Sequence, residues 1–327
     1  MNPNERVRLG RTDLTVTRLG LGTSPLAGLH RAVDDAEALP AIERSWALGI
    51  RFFDTAPLYG YGLAEQRVGR VLSGRPRAEF TLATKVGRLL RADAPPEPGH
   101  AFHGTPPLNP VFDFSYDGVM RSVEESRERL GIERIDILHI HDPDDHYQQA
   151  ISGAYRALDE LRRIGVIGAV GAGMNQAEML TRFAREGDFD CFLLAGRYTL
   201  LDQVGLKELL PVCVERGIAI IAAGVFNSGI LIEPKAGARY NYRPAPADLI
   251  ERARRIEAIC KAHGVPLRAA AMQFPLGHPA VQTVVVGCRN AEQVDDAVRM
   301  FETDIPPALW ADLKRARLLP EEAPTPN

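Results

Sequence analysis

Residues 49–72 read GIRFFDTAPLYGYGLAEQRVGRVL and join two kinds of predicted secondary structure. The run RFFDTA (51–56) is short and apolar, as in a buried strand, and the segment that follows is longer and amphipathic, as in a helix. Proline and glycine between the two indicate a turn. The stretch therefore predicts one strand–loop–helix unit, the building block of parallel sheets.

The same alternation repeats along the chain. Seven further short apolar runs precede or follow amphipathic segments: LGLGT (19–23), TLATKV (81–86), ILHIHD (137–142), GAVGAG (168–173), CFLLAGR (191–197), AIIAAG (219–224) and TVVVGC (283–288). Eight strands that alternate with helices predict the α/β class and a closed (β/α)8 TIM barrel. A doubly wound open sheet is the structural alternative, but the composition shows no domain boundary.

The rest of the chain fits around this barrel. Residues 6–18 predict an N-terminal β-hairpin with its turn at Thr12 and Asp13. We expect one domain over residues 1–320 and a disordered tail over 321–327. The proline- and glycine-rich segment 87–114 predicts a long irregular loop after the third strand, which in a compact domain is usually functional.

Composition narrows the function classes. The chain has 327 residues, 45% of them hydrophobic and 25% charged, with a net charge of −3 and no long basic run. These values fit an ordinary globular protein and do not favour nucleic acid or an anionic membrane as partner. We expect no membrane span, no signal peptide, four reduced core cysteines and a cytoplasmic location.

Four polar side chains fall where barrel enzymes place their chemistry, at the carboxyl ends of the strands. Asp54, Lys85 and His141 stand at the ends of the second, third and fourth predicted strands, and Tyr59 follows in the loop after the second. A buried Asp–Lys pair beside a tyrosine lowers the pKa of the phenol when the ammonium stabilises the phenolate. The four residues predict a proton-transfer site that uses no metal.

The stretch HIHDPDDH (139–146) offers a competing interpretation as a metal site. His139 and His141 share one face of a strand, but no other histidine falls at a predicted strand end, so a metal-dependent hydrolase is the weaker alternative. We interpret His139 as a satisfied core histidine and Asp144 or Asp145 as a helix N-cap. The glycine-rich runs GLGTSPLAG and GAVGAG do not match a dinucleotide-binding loop.

The motifs together identify a family resemblance. The stretch 49–69, TKVG (84–87) and HIHDP (139–143) resemble the aldo-keto reductases over nearly the full chain, and Glu65 also matches the family signature. Within that family the chain is most similar to the D-threo-aldose 1-dehydrogenase group, which includes L-fucose and L-galactose dehydrogenases. The resemblance implies a catalytic tetrad of Asp54, Tyr59, Lys85 and His141 around the nicotinamide of NAD or NADP.

The resemblance also implies contacts for the cofactor and the substrate. The expected cofactor contacts are Thr23, Asp54, Asn175, Arg197, Gly224, Val225, Phe226, Asn227, Ser228, Gly229, Gly287, Arg289 and Gln293. The expected substrate contacts are Tyr59, Arg88, His103 and His141. Many relatives that use NADP carry a lysine where this chain has Gly287, which favours NAD, while Arg289 leaves NADP open.

The implied reaction is oxidation of an aldose of the L-fucose, L-galactose or D-arabinose type at its anomeric carbon, giving a lactone, with Tyr59 as general base. Oxidation of pyridoxal or reduction of an aldehyde at the same site is the alternative. A non-catalytic, cofactor-binding regulatory subunit is the alternative from another class. We expect a small-molecule sugar or aldehyde as the partner and a monomer or weak homo-oligomer.

Overall fold

The computed structural model describes residues 1–96 and 101–326. Its strands, in chain order, are β1 (Arg6–Arg8), β2 (Thr15–Thr17), β3 (Leu19–Gly22), β4 (Phe52–Asp54), β5 (Thr81–Val86), β6 (Arg88–Arg91), β7 (Asn109–Phe112), β8 (Ile137–His141), β9 (Ala169–Met174), β10 (Cys191–Ala195), β11 (Ala219–Ala223), β12 (Arg239–Tyr240), β13 (Arg243–Pro244) and β14 (Val281–Gly287). Its α-helices are α1 (Asp35–Ala47), α2 (Leu63–Leu72), α3 (Tyr116–Leu130), α4 (Tyr147–Gln149), α5 (Tyr155–Arg163), α6 (Ala177–Glu186), α7 (Leu209–Arg216), α8 (Ala247–Ala262), α9 (Leu267–Gln273), α10 (Ala291–Glu302) and α11 (Pro307–Arg315).

Eight of these strands close into a parallel barrel, as the alternation predicts. Around the barrel they follow chain order: β3, β4, β5, β8, β9, β10, β11 and β14, which returns to β3. Each falls on one of the eight apolar runs. Helices connect successive barrel strands, so the fold is a (β/α)8 TIM barrel. Helix α3 ends before Gly131, whose φ of 60° is the left-handed conformation that terminates helices.

The barrel interior is filled by small and medium apolar side chains and is closed at its amino-terminal end by the hairpin. β1 pairs antiparallel with β2, as expected, and the hairpin carries Leu9 and Val16 into the interior cluster. Other members of this cluster are Phe52, Ala83, Ile137, Ala169, Cys191, Leu193, Ala219, Ile221 and Val285. Because side chains alternate along a strand, the next inward positions on β4, β5 and β8 are Asp54, Lys85 and His139, with His141 beyond.

Two ribbons stand outside the barrel at its carboxyl end. The segment 87–114 is more regular than its composition predicts, because β6 pairs with β7 in an antiparallel ribbon. Residues 97–100 of this segment lie outside the described part of the chain. In the loop between β6 and β7, Phe102 forms an isolated antiparallel bridge with Leu29. This bridge brings the β6–β7 loop over the loop that follows β3. The second ribbon, β12 and β13, turns at Asn241 and Tyr242.

The chain end carries a buried residue, and the N-cap of α4 differs from the expectation. Within residues 321–326, Ala323 is fully buried in the main hydrophobic cluster, while Glu321 and Glu322 are exposed. The disorder expected for residues 321–327 stays a prediction, and Asn327 lies outside the described residues. The N-cap position of α4 is His146, without a side-chain capping bond, and neither Asp144 nor Asp145 caps it. Asp144 instead accepts a hydrogen bond from Gln176, because the loop after β8 turns toward β9.

Candidate active site

A cavity of about 450 Å³ opens at the carboxyl end of the barrel. Its walls come from the ends of barrel strands and from the loops that join the strands of each ribbon. The lining includes Asp54, Tyr59, Lys85, His141, Asp142, Asn175, Phe102 and Tyr242. The four side chains predicted at strand ends are thus brought to one cavity. The strand register accounts for this, since Lys85 on β5 pairs with His139 on β8 and places His141 one inward position further out.

Lys85 and Asp54 form a buried ion pair. The Lys85 Nζ donates to both carboxylate oxygens of Asp54, at 2.7 and 2.8 Å, and to the carbonyl oxygen of Thr55, at 2.8 Å. Burial raises the pKa of the Asp54 carboxyl, and the Lys85 ammonium opposes that rise. Three acceptors hold the three N–H groups of the ammonium, so the lysine is fixed in position.

Tyr59 is placed next to this pair by the loop after β4. Its ring centroid lies 4.9 Å from the Lys85 Nζ, and its ring meets that of His141 edge-on, with centroids 5.8 Å apart. The loop needs a glycine at Gly60, where φ is 60° and a Cβ would stand 2.5 Å from the carbonyl oxygen of Ala27. This turn holds the phenol against the cavity wall.

The expected lowering of the Tyr59 pKa is wrong. Its pKa is raised well above the ordinary value, first because burial disfavours the phenolate and then because the charges of Asp54 and Asp142 repel it. Lys85 cannot reverse this, since its ammonium is already neutralised by Asp54 in a bidentate contact. At neutral pH the phenol is therefore protonated.

His141 and His139 lie along the inner face of β8. Burial and the positive charges of Arg88 and Lys85 hold the pKa of His141 well below its usual range, so the imidazole is neutral. His139 is fully buried, as expected, but it is not satisfied: neither ring nitrogen has a hydrogen-bond partner within the described residues. Gly171 on β9 makes room for this ring, since a Cβ there would lie 2.3 Å from the His139 Nδ1.

Several residues expected to contact a cofactor are used inside the protein. Thr23 donates its hydroxyl to the carbonyl oxygen of Asp54 at 3.0 Å. Asn227 accepts from Thr199 at 2.6 Å, and Arg197 donates to Asn241 at 3.0 Å. The remaining assignments are placed as follows: Val225 is buried in the core, Phe226 packs against it, Ser228 accepts from the backbone N–H of Tyr242, Gly229 ends a 3-10 turn, and Gln293 accepts from the backbone N–H of Arg289.

Other expected cofactor residues do face the cavity. Asn175, Gly224 and Gly287 line it. Arg289 is half-buried, and its Nε has no partner within the described residues. Burial lowers the pKa of His30, and the positive charges of Arg239 and Arg289 lower it further. An elongated anionic ligand such as a dinucleotide would fit these groups. The glycines let a ligand approach the backbone closely, and Arg289 offers an unused hydrogen-bond donor.

Of the expected substrate residues, Tyr59 and His141 line the cavity, whereas Arg88 and His103 do not. Arg88 stands behind the cavity wall, with its Nη2 3.5 Å from the Asp142 Oδ2, and His103 is exposed and does not line the cavity. Several lining residues were not anticipated, and two of them, Asp142 and Tyr242, carry polar groups into the cavity. Asp142 was open to prediction because it directly follows His141 at a strand end, whereas nothing near Tyr242 in the sequence points to this site.

Comparison with known proteins agrees with this geometry. Residues 18–317 match the model of the Aldo/keto reductase family. The chain belongs to the aldo/keto reductase family. It is accordingly an NAD(P)-dependent oxidoreductase, and the cavity described above lies where (β/α)8 enzymes carry out their chemistry.

Relatives of this aldo/keto reductase span its whole length. It is 44% identical to a pyridoxal 4-dehydrogenase of Microbacterium luteolum, over 98% of this chain and 99% of that one. It is also 44% identical to a D-threo-aldose 1-dehydrogenase of Pseudomonas sp, over 94% and 96%. The holo form of aldo-keto reductase AKR11C1 from Bacillus halodurans superposes with a TM-score of 0.75 at 26% identity, covering 95% of each chain.

The described residues contain neither a helix suited to crossing a membrane nor a cluster suited to binding a metal. No helix there combines the length and apolar character that a membrane span requires. No group of three or more His, Cys, Asp or Glu side chains in residues 1–96 and 101–326 is arranged to hold a metal ion.

Proposed function

We propose that this enzyme oxidises the anomeric carbon of an aldose in its ring form to a lactone, with Tyr59 as the proton acceptor. The observation that carries the proposal is the convergence of Asp54, Tyr59, Lys85 and His141 on one cavity. The similarity to a D-threo-aldose 1-dehydrogenase supports the aldose as substrate. L-fucose, L-galactose and D-arabinose are the sugars that we propose to test.

Each of the four side chains has a separate role in the proposed reaction. The bound nicotinamide supplies the hydride acceptor. Tyr59 takes the proton of the anomeric hydroxyl, while the neutral His141 hydrogen-bonds the same oxygen and orients it. Asp54 holds Lys85 charged and in place beside the phenol. When the direction is reversed, Tyr59 donates its proton to a carbonyl oxygen instead.

The raised pKa of Tyr59 favours a second candidate, reduction of an aldehyde. A protonated phenol is ready to act as an acid at neutral pH, whereas oxidation requires the phenolate. We therefore expect oxidation to accelerate as the pH rises into the alkaline range, and reduction to proceed at neutral pH. Pyridoxal is included as a substrate to test because of the equally similar pyridoxal 4-dehydrogenase.

We propose NAD as the preferred cofactor. Asn175 would bind its carboxamide, and Gly224 and Gly287 would let it approach the backbone closely. Gly287 places no charged side chain at the end of β14 where many relatives have a lysine, which supports NAD. Arg289 is the group that would favour NADP. Binding of NADH and NADPH, followed by fluorescence, decides between them. We further propose that the enzyme is cytoplasmic and monomeric or weakly oligomeric.

A spectrophotometric screen at alkaline pH tests the reaction. NAD and NADP are each combined with L-fucose, L-galactose, D-arabinose and pyridoxal, and formation of reduced cofactor is followed. Turnover of at least one sugar is expected. Turnover of pyridoxal and of none of the sugars would instead assign the enzyme the reaction of a pyridoxal 4-dehydrogenase.

Tyr59→Phe tests the role of the phenol. Removing the hydroxyl should lower kcat roughly 10²- to 10⁴-fold, because a positioned acid or base typically contributes that much. The dissociation constant for NADH, measured by fluorescence titration, should stay within a few-fold of the wild-type value. A Tyr59→Phe enzyme that turns over at a near-normal rate would contradict the assignment of Tyr59.

A further inference from the structure

The carboxylate of Asp142 lies in the cavity wall, where both its backbone conformation and the burial of its charge are unfavourable. Its backbone has a φ of 41°, in the left-handed region that non-glycine residues seldom adopt. Burial raises the pKa of the carboxyl to about 6, even with the Arg88 charge nearby. The backbone N–H donates to the carbonyl oxygen of Gly173 at 3.1 Å, a bond that asparagine would make equally well.

Among residues 1–96 and 101–326, no group makes a close bond to this carboxylate that would explain its presence. Its Oδ2 stands 3.5 Å from the Arg88 Nη2 and 3.5 Å from the His141 Nε2, both longer than a good N–H···O hydrogen bond. The side chain remains 23% exposed, on the cavity side. An ionised acceptor that is held open toward a cavity is suited to a ligand that brings a donor.

The position of Asp142 relative to His141 indicates where that donor would lie. In the proposed function, the reacting oxygen of the substrate sits on the His141 imidazole. Oxygens on neighbouring carbons lie about one hydrogen-bond length apart when they are gauche. A hydroxyl on the carbon next to the reacting one is therefore carried toward the Asp142 Oδ2.

We propose that Asp142 is a specificity-determining residue that accepts a hydrogen bond from a hydroxyl on the carbon adjacent to the reacting carbon. The inference rests on the proposed function for the placement of the reacting oxygen. It assigns the substrates to one chemical class: aldehydes or cyclic hemiacetals that carry an uncharged hydroxyl at that position. Anionic groups there are excluded by repulsion from the carboxylate.

Neighbouring side chains complete this subsite. Arg88 stands behind the carboxylate and stabilises its charge, while its own guanidinium lies over the Phe112 ring at 4.6 Å. Phe102 and Tyr242 line the cavity and offer aromatic faces to the carbon skeleton. An aldose has a hydroxyl on its second carbon and fits this class. The phenolic hydroxyl of pyridoxal is one carbon further from its aldehyde carbon, so pyridoxal lies outside the class.

Reduction of two matched aldehydes tests the inference. Glyceraldehyde carries the adjacent hydroxyl and 3-hydroxypropanal lacks it, and both require only the reductive chemistry of the family. Asp142→Asn and Asp142→Ala should lower kcat/KM for glyceraldehyde roughly 10- to 100-fold, the range for a hydrogen bond to a charged group. The value for 3-hydroxypropanal should change less than about threefold.

Asp144→Asn is the matched control. Asp144 lies two residues after Asp142, is exposed and does not line the cavity. Its substitution removes the same charge, so kcat/KM for both aldehydes should stay unchanged. Equal losses on both aldehydes in the Asp142 variants, or no loss on either, would overturn the inference while leaving the proposed function intact. A wild-type enzyme that reduces neither aldehyde would overturn both.

A second measurement needs no variant. In the wild-type enzyme, the preference for glyceraldehyde over 3-hydroxypropanal should fall several-fold as the pH drops through about 6, because Asp142 becomes protonated. In the described part of the chain, the charged and titratable groups that face it are Arg88, Lys85, His141, Asp144, Tyr59 and Tyr242. A preference that is constant from pH 8 to pH 5 would contradict the inference.

Discussion

Single residues around the cavity illustrate a conflict between stability and chemistry. Asp142 holds a strained backbone and a carboxyl whose pKa is raised to about 6 by burial. His139 leaves two ring nitrogens without partners among the residues described, next to Lys85 in strand register. Groups of this kind persist where function requires them, because each lowers the stability of the folded state.

Asp142→Asn should therefore stabilise the protein at neutral pH. The folded state binds the Asp142 proton more tightly than the unfolded state, so stability falls as the pH rises through about 4 to 6 and the deficit is complete above that window. The variant escapes this loss, and its unfolding free energy should exceed the wild-type value by roughly 1 to 3 kcal/mol at pH 8.

Urea unfolding at pH 8 and at pH 4.5 measures the effect. The gain should shrink to roughly a third at the lower pH, because the wild-type carboxyl is then protonated in the folded state, while in the unfolded state, with a pKa of about 3.9, it is still mostly ionised. Asp144→Asn provides the reference for loss of a charge from the same loop. A variant that is less stable than the wild type at pH 8 would show that the carboxylate has a structural role.

At the scale of elements, one buried carboxylate joins two helices to the strand that carries Lys85. Glu65 on α2 is fully buried, accepts from the Thr84 hydroxyl on β5 at 2.7 Å and from the Arg129 Nε on α3 at 2.6 Å. Thr84 directly precedes Lys85 in β5. The Glu65 that matches the family signature thus supports the active site without lining its cavity.

Glu65→Ala should destabilise the protein by about 3 kcal/mol, because it leaves Arg129 partly buried without its carboxylate. Chemical denaturation monitored by circular dichroism measures the loss. Glu124→Ala on α3 is the control, since its carboxylate is exposed and stands 3.8 Å from Arg127. A loss below about 0.5 kcal/mol, as expected for the control, would contradict the structural role of Glu65 in joining α2 and α3 to β5.

At the scale of the whole molecule, the two ends of the barrel have different tasks. The carboxyl end holds the cavity, and the amino end is closed by the hairpin with Leu9 and Val16 inside the barrel. In this fold the amino end contributes to stability and the carboxyl end to catalysis. The separation predicts that substitutions at the closed end change stability alone.

Leu9→Ala should lower the unfolding free energy by roughly 2 to 5 kcal/mol, because Leu9 is fully buried and the truncation leaves a cavity. The kcat/KM of the folded variant, assayed well below its unfolding temperature, should stay within about twofold of the wild-type value. Val214→Ala serves as the control, since Val214 is half exposed. Loss of kcat/KM in a fully folded Leu9→Ala enzyme would show that the hairpin communicates with the cavity.

The sequence by itself determined the eight strands, their order and the strand-end positions of Asp54, Lys85 and His141. These features follow from local periodicity and from the rule that parallel strands meet at one end of a barrel. The loop position of Tyr59 followed in the same way. What such patterns omit is the partner of each side chain.

Only the tertiary structure decided those partners. Asn227, Thr23 and Arg197 make hydrogen bonds within the protein to Thr199, Asp54 and Asn241, which lie far from them in the sequence, and their expected contacts with the cofactor stay predictions. The pKa of Tyr59 is raised because burial and neutralisation of Lys85 by Asp54 depend on segments distant in sequence. Asp142 and Tyr242 reach the cavity through left-handed turns whose side-chain direction periodicity does not specify.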